Sequence, residues 1–143
     1  MNKKLWTPGA GRIASEPITA FMDTVEREYG VVFNGDYQLL HRWSVEQPAA
    51  FWRAVWDFAG VEAFSRGDAV LENPDALPGA RWFPGAELNF AATLLRYRGE
   101  QTALVSLLEN GERGTWSRAA LYREVARVAA GLRDAGVQPG DRV

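Results

Sequence analysis

The sequence predicts a mostly α-helical chain carrying one β-hairpin, and three observations carry that reading. Ile18, Phe21, Met22, Val25 and Tyr29 recur at helical spacing, as do Leu121, Val125, Val128, Ala129 and Leu132 further on. Between these stripes, the apolar and partly β-branched run Thr102 to Leu108 is separated from Thr115-Trp116 by Asn110-Gly111-Glu112-Arg113-Gly114, which reads as a hairpin. Hydrophobic residues make up 47% of the 143, with six Trp, four Tyr and seven Phe, against 24% charged, a balance that favours a packed core over disorder.

Leu5 to Ala14 is rich in Gly and Pro and reads as an irregular arm. Ser15 is placed to cap the first helix, with Glu16 and Pro17 in its first turn and Gly30 as a left-handed stop. After Val31-Val32-Phe33 and an Asn34-Gly35 turn, Asp36 is placed to cap a brief helix through Trp43, although its Tyr, Leu and Trp residues also suit extended chain. Ser44-Val45-Glu46-Gln47 has the pattern of a capping box, so a helix is expected to start there and end at Gly60. On it Phe51, Trp52, Val55, Trp56 and Phe58 cover an arc of about 160°, too broad for a helix packed on one side only.

Residues 61–86 contain Gly67, Asn73-Pro74, Pro78-Gly79 and Pro84-Gly85 and read as loop, with a strand at Ala69 to Leu71. Helical spacing resumes at Leu88, Ala91, Ala92 and Leu95, predicting a helix from Leu88 to Tyr97. Ser117 is placed to cap the last helix and Gly136 to close it. Arg142-Val143 then looks like the start of another strand, since a strand followed by a long amphipathic helix normally returns to a sheet.

Composition excludes several function classes. Lys and Arg number 16 against 18 Asp and Glu, a net charge of −2, so no basic excess exists to bind nucleic acid. No cysteine and one histidine remove disulfides, thiol catalysis and zinc clusters. Met1 to Lys4 carries two lysines, but Thr7-Pro8-Gly9 stops the apolar run that an export signal needs, and no apolar segment reaches the ~18 residues of a membrane span. A cytoplasmic protein without a membrane partner is expected. At 143 residues the chain suits one compact domain and is short for an enzyme that joins several substrates.

Candidate chemistry is thin. His41 and Ser44 are the one His and Ser pair at helical spacing, with Asp36 nearby, but an orienting acid and an oxyanion-hole motif are missing, and capping explains Ser44. Gly9-Ala10-Gly11 and Gly111-Glu112-Arg113-Gly114 match no phosphate-binding loop. Glu16, Asp23, Glu26 and Glu28 spread around a helix and read as a solvated face instead of a metal set. Arg118, Arg123 and Arg127 suggest an anion site, but Glu124 and Asp134 are interspersed and the arginines are expected opposite the apolar stripe, so solvation is favoured. Trp43, Trp52 and Trp56 could line an apolar pocket; at helical spacing they are read as core or interface.

Two stretches are more specific. Trp43-Ser44-Val45-Glu46, Pro48, Phe51-Trp52 and Val55-Trp56-Asp57-Phe58, followed by Arg81-Trp82-Phe83-Pro84-Gly85-Ala86, Leu88-Asn89-Phe90-Ala91 and Leu94-Leu95, closely resemble the N-terminal region of acetoacetyl-CoA synthetases, in the adenylate-forming acyl-CoA synthetase superfamily. Thr115-Trp116-Ser117, Leu121, Val125-Ala126, Ala129-Ala130-Gly131-Leu132, Gly136-Val137 and Pro139-Gly140-Asp141-Arg142-Val143 resemble the opening of that superfamily's AMP-binding domain. The resemblance runs from about Leu5 to Val143. It departs at Ala92-Thr93, where related enzymes commonly carry Glu-Asn.

The resemblance implies an α/β parent fold, of which 1–86 is a helical N-terminal segment and 87–143 the truncated beginning of the AMP-binding domain. It implies a ligase in which acetoacetate attacks Mg-ATP to give an acyl-adenylate and diphosphate, after which CoA displaces AMP. The family's phosphate loop, adenine motif, ribose-binding Asp and catalytic Lys have no counterpart in the sequence, so no catalytic, cofactor-binding or metal residue is assigned. ATP, Mg and CoA are expected to serve the full-length parent, and the remainder of the adenylation domain is the expected partner of the aromatic surface. Two alternatives stay open: an acetyl- or propionyl-CoA synthetase fragment, and a stand-alone interaction module without catalysis.

Overall fold

The computed structural model describes residues 6–143; the export-signal reading of Met1 to Lys4 and the start of the arm at Leu5 lie outside them. The described chain holds six helices and three two-stranded antiparallel ladders, divided into one compact unit ending at Leu88 and a second over Asn89–Val143. This is the mostly helical architecture with one long hairpin that the sequence predicts.

The arm is less irregular than expected. Ala10–Ser15 forms a short helix, α1, and Ser15 ends it, donating its hydroxyl to the Arg12 carbonyl at 3.0 Å, instead of capping the next helix. That helix, α2 (Pro17–Tyr29), takes Glu16 as its extended N-cap residue, without a side-chain cap. Proline explains the shift: it disfavours helical backbone in the residue before it and fits the first helical position, where no amide donor is needed. Gly30 closes α2 at φ 67°.

The same rule corrects the expected capping box. Helix α3 (Tyr37–Glu46) begins where Asp36 accepts the Gln38 amide at 2.7 Å, but it runs through Ser44 to Glu46. Ser44 sits in its last turn and donates to the His41 carbonyl at 2.7 Å, a back-bond that a helical serine can make but a cap cannot. Helix α4 (Pro48–Ala59) starts one residue after Gln47, whose side chain makes no cap bond, and ends at Gly60 in the left-handed region.

Phe21, Met22 and Val25 of α2, Leu40 of α3, Ala54 of α4 and Phe33 form the buried core. Val25 and Phe33 are its most enclosed members. Edge-to-face rings seal it: Trp43 meets Tyr29, Phe33 and Phe51 with centroids 5.4, 5.9 and 6.1 Å apart, and Phe21 meets Phe51 and Phe58 at 5.9 and 5.2 Å. The broad arc of α4 is explained only in part by this packing, since Trp52 and Phe58 remain more than two-fifths exposed.

Residues 61–86 are more ordered than a loop. Strand β1 (Ala63–Ser65) pairs with β4 (Glu87–Leu88), and β2 (Leu71–Glu72) pairs with β3 (Arg81–Trp82). The strand expected at Ala69 to Leu71 is thus displaced to Leu71–Glu72. Gly67, at φ 72°, lies so close to Gly85 that a Cβ would stand 2.9 Å from the Gly85 backbone. Because β4 engages Leu88, the helix expected from Leu88 shrinks to α5 (Phe90–Leu94), with Asn89 accepting the Ala91 amide at 2.9 Å as its cap.

In the second unit, β5 (Thr102–Leu107) and β6 (Arg113–Ser117) form the expected hairpin, with Val105 opposite Thr115 and Leu107 opposite Arg113. Ser117 caps α6 (Arg118–Asp134) by accepting the Ala120 amide at 3.1 Å, and Gly136 comes after it at φ 84°. The strand expected at Arg142-Val143 does not form: no neighbouring strand offers those residues a ladder. None of the residues 89–143 is buried. Val125, Val128 and Leu132 of α6 and Leu104, Val105 and Leu107 of β5 all stand exposed.

Candidate functional site

The His41, Ser44 and Asp36 set does not assemble. Ser44 Oγ is bound to the His41 carbonyl and Asp36 to the Gln38 amide, so neither side chain orients the imidazole. His41 and Ser44 instead border an apolar groove of about 310 Å³ between α2, α3 and α4, whose walls include Ile18, Phe21, Leu40 and Phe58. Its lining can exclude water and hold apolar matter, and it holds no nucleophile poised beside a base.

The acids of α2 behave differently from one another. Glu16 pairs with Arg12 at 3.2 Å on the surface and Glu28 with Arg27 at 3.7 Å. Glu26 is not part of a solvated face: its carboxylate accepts the Phe33 amide and the Asn34 amide, the latter at 2.9 Å, tying α2 to the Asn34-Gly35 turn. A charged acceptor taking two backbone donors is a structural clamp. The sequence signal for it is a Glu one turn ahead of the helix-ending Gly30, shortly before a tight turn rich in unpaired amides. Among the described residues no three His, Asp or Glu side chains converge into a cluster.

Trp43 is a core residue. Trp56 stacks at 4.5 Å and 40° on Phe83, and Trp52 meets Trp82 edge-on at 5.7 Å beside a pocket of about 330 Å³ lined by Trp52, Trp82 and Phe83. Phe83 takes φ 43°, unusual for a residue with a side chain, while its amide bonds the Val70 carbonyl at 2.8 Å. Tyr29, near Asp57, has its phenol pKa raised, first by burial and then by the Asp57 charge.

The three candidate arginines, Arg118, Arg123 and Arg127, do not act as one set. Arg127 pairs with Glu124, which lowers the carboxylate pKa through the hydrogen bond and raises that of the guanidinium. Arg118 is not opposite the apolar stripe: at about 100° per residue it falls within about 20° of Val125. It is half-buried, its guanidinium 5.2 Å from the centre of the Tyr97 ring, and Arg98 lies 3.8 Å over Tyr122. The triplet Arg96-Tyr97-Arg98 and the four-residue spacing of Arg118 and Tyr122 are the sequence signal for this cluster.

Residues 37–93 match the family profile described as "Acetyl-coenzyme A synthetase N-terminus". That stretch spans α3, α4, the short ladders and most of α5. Across nearly its whole length the chain is homologous to acetoacetyl-CoA synthetases. It is 38% identical to that of Rhizobium meliloti over 143 residues, covering 99% of this chain and 21% of the relative. It is 35% identical to a malonamoyl-CoA synthetase of Penicillium aethiopicum, covering 97% and 20%. The solved acetoacetyl-CoA synthetase from Streptomyces lividans superposes with a TM-score of 0.89 at 41% identity, over 99% of this chain and 22% of that one. The chain thus spans about a fifth of the length of the curated relatives it matches.

Among the described residues no helix is long and apolar enough to cross a membrane.

Proposed function

We propose that this chain forms the N-terminal part of a cytoplasmic, ATP-dependent, AMP-forming acetoacetate–CoA ligase. In the whole enzyme acetoacetate and ATP give acetoacetyl-adenylate and diphosphate; the CoA thiol then attacks the acyl carbonyl, AMP leaves, and the thiol proton goes to solvent. The observation that carries this reading is the identity of 38% and 41% to acetoacetyl-CoA synthetases over 99% of the chain.

Residues 1–86 are the helical N-terminal segment and 87–143 the beginning of the AMP-binding domain, a division supported by the change of compact unit after Leu88. ATP, Mg and CoA are bound by other parts of the enzyme, as is acetoacetate, and these 143 residues are not catalytic by themselves. The remainder of the adenylation domain covers the second unit. Support comes from its 55 residues, Asn89–Val143, none of which is buried, so that the apolar side chains of β5 and α6 are left uncovered within this unit. The 35% identity to a malonamoyl-CoA synthetase favours a second reading in which the chemistry is kept and the acid differs.

ATP–diphosphate exchange tests the assignment. A full-length enzyme beginning with this sequence is expected to exchange diphosphate when given acetoacetate, and the purified 143-residue chain is expected not to. Exchange by the short chain would overturn the division of labour; no exchange by the long one with any short acid would overturn the reaction.

A further inference from the structure

The described chain contains two Asn-Gly steps, Asn34-Gly35 after α2 and Asn110-Gly111 between β5 and β6, and the structure holds them differently. In such a pair the glycine nitrogen can attack the asparagine side-chain amide, because glycine has no Cβ to block the approach. Access does not separate the two steps. All four residues are exposed, and at both Gly35, φ 73°, and Gly111, φ 84°, a Cβ would meet nothing within 4 Å. Hydrogen bonding does separate them. The Gly111 amide donates to the Leu108 carbonyl at 2.9 Å and the Asn110 side chain accepts the Glu112 amide at 3.0 Å, so both reacting groups are engaged. Among the described residues, the Gly35 amide and the Asn34 carboxamide have no such partner. Bringing the Gly35 nitrogen onto the side chain opens only the turn bond from the Asp36 amide to the Phe33 carbonyl, whereas at Asn110 both bonds just named must break.

We propose that Asn34 is a site of spontaneous deamidation, and that its product loosens the clamp by which Glu26 ties α2 to this turn. The Gly35 nitrogen forms a bond to Cγ of Asn34, the Cγ–Nδ2 bond breaks, and the Gly35 amide proton leaves with that nitrogen as ammonia. Water then opens the succinimide, at Cγ to give aspartate or at the backbone carbonyl to give isoaspartate, and the new carboxylic acid gives its proton to solvent. Either product puts a negative charge beside Glu26, whose carboxylate accepts the Phe33 and Asn34 amides, and the two charges repel. Phe33 is among the most enclosed residues of the core, so loosening the turn reaches the core directly. The acyl-CoA synthetase reading assigns no role to Asn34, and the proposal does not depend on it.

Peptide mass mapping of the full 143-residue chain aged in mildly alkaline buffer, with isoaspartyl methylation as a second readout, tests the site. Conversion at Asn34 should be at least about fivefold faster than at Asn110, the factor that one net backbone hydrogen bond is worth. In concentrated urea, where neither step is held, the two rates should agree within about twofold. A smaller ratio in the folded chain, or a larger one in urea, overturns the assignment. Amide hydrogen exchange requires the same loss of a proton from nitrogen, so Gly35 should exchange near its unfolded rate and Gly111 at least about fivefold below its own. Equal protection of the two glycines overturns it as well. Asn34→Asp carries the product charge without ageing and should raise exchange at the Phe33 amide by about threefold, while Asn110→Asp should leave that amide unchanged. Amide shifts of α2 to α4 report that each variant remains folded. Unchanged exchange at Phe33 in folded Asn34→Asp, or an equal rise in Asn110→Asp, overturns the loosening of the clamp.

Discussion

The ring of Phe83 lies 4.5 Å, centre to centre, from that of Trp56, and this contact joins the two halves of the tryptophan-rich pattern, α4 and the Trp82-Phe83-Pro84 turn. Phe83 holds φ 43° while making it, so packing and the Val70 hydrogen bond outweigh the backbone cost. Trp56→Ala should destabilise the first unit by about 2 kcal/mol, below the value for a fully buried aromatic because Trp56 keeps part of its surface in solvent. The urea midpoint followed by far-UV circular dichroism checks it; an unchanged midpoint would show that the contact stabilises nothing.

Glu26 provides a second test. Glu26→Ala leaves the Phe33 and Asn34 amides without their acceptor and should cost about 1–2 kcal/mol; Glu26→Gln, which keeps one acceptor oxygen, should cost about half as much. Faster hydrogen exchange at the Asn34 amide in both variants would locate the loss at the turn.

Gly67→Ala is expected to be more damaging than an ordinary loop substitution. It combines a positive φ with a Cβ 2.9 Å from the Gly85 backbone, so the chain must shift and the β1–β4 ladder should loosen at a cost of about 1–3 kcal/mol. Gly9→Ala, where a Cβ meets nothing within 4 Å, is the control and should leave the midpoint unchanged.

Stability should fall at alkaline pH in a way that Tyr29 controls. Burial and Asp57 raise the phenol pKa, so the folded state favours the protonated form. That contribution is complete below the unfolded value of about 10 and is lost as pH rises through the folded one. Urea midpoints measured from about pH 9 to 11 should decline less for Tyr29→Phe than for the parent chain. Equal declines would assign the effect to other groups.

Hydrogen exchange should divide the chain. Amides of α2, α3 and α4 surround the buried core, whereas β5, β6 and α6 bury no side chain, so the second unit should exchange faster in the isolated chain. Equal protection would mean that the hairpin and α6 need no further apolar cover.

Much of the fold is legible in the sequence because local rules set it. Ser117, Asp36, Gly30 and Gly60 act as caps and stops where their chemistry requires, and the hairpin is set by its turn residues. Legibility ends where two local signals compete. Pro17 and Pro48 override the serine caps before them, and the pairing of Leu88 with Ala63, distant in sequence, overrides helical spacing. Glu26 and Arg118 depart from their expected solvated roles for a related reason: their partners, Asn34 and Tyr97, are set by tertiary structure that no periodicity reports.

The most direct measurement of the central claim is the rate of AMP formation by the full-length enzyme with CoA and each of acetoacetate, acetate, propionate, butyrate and malonamate. The account predicts the highest kcat/KM for acetoacetate, by at least about tenfold over acetate, a margin of about 1.4 kcal/mol in transition-state binding. A preference for acetate, propionate or malonamate, or no AMP from any of the five, would contradict it.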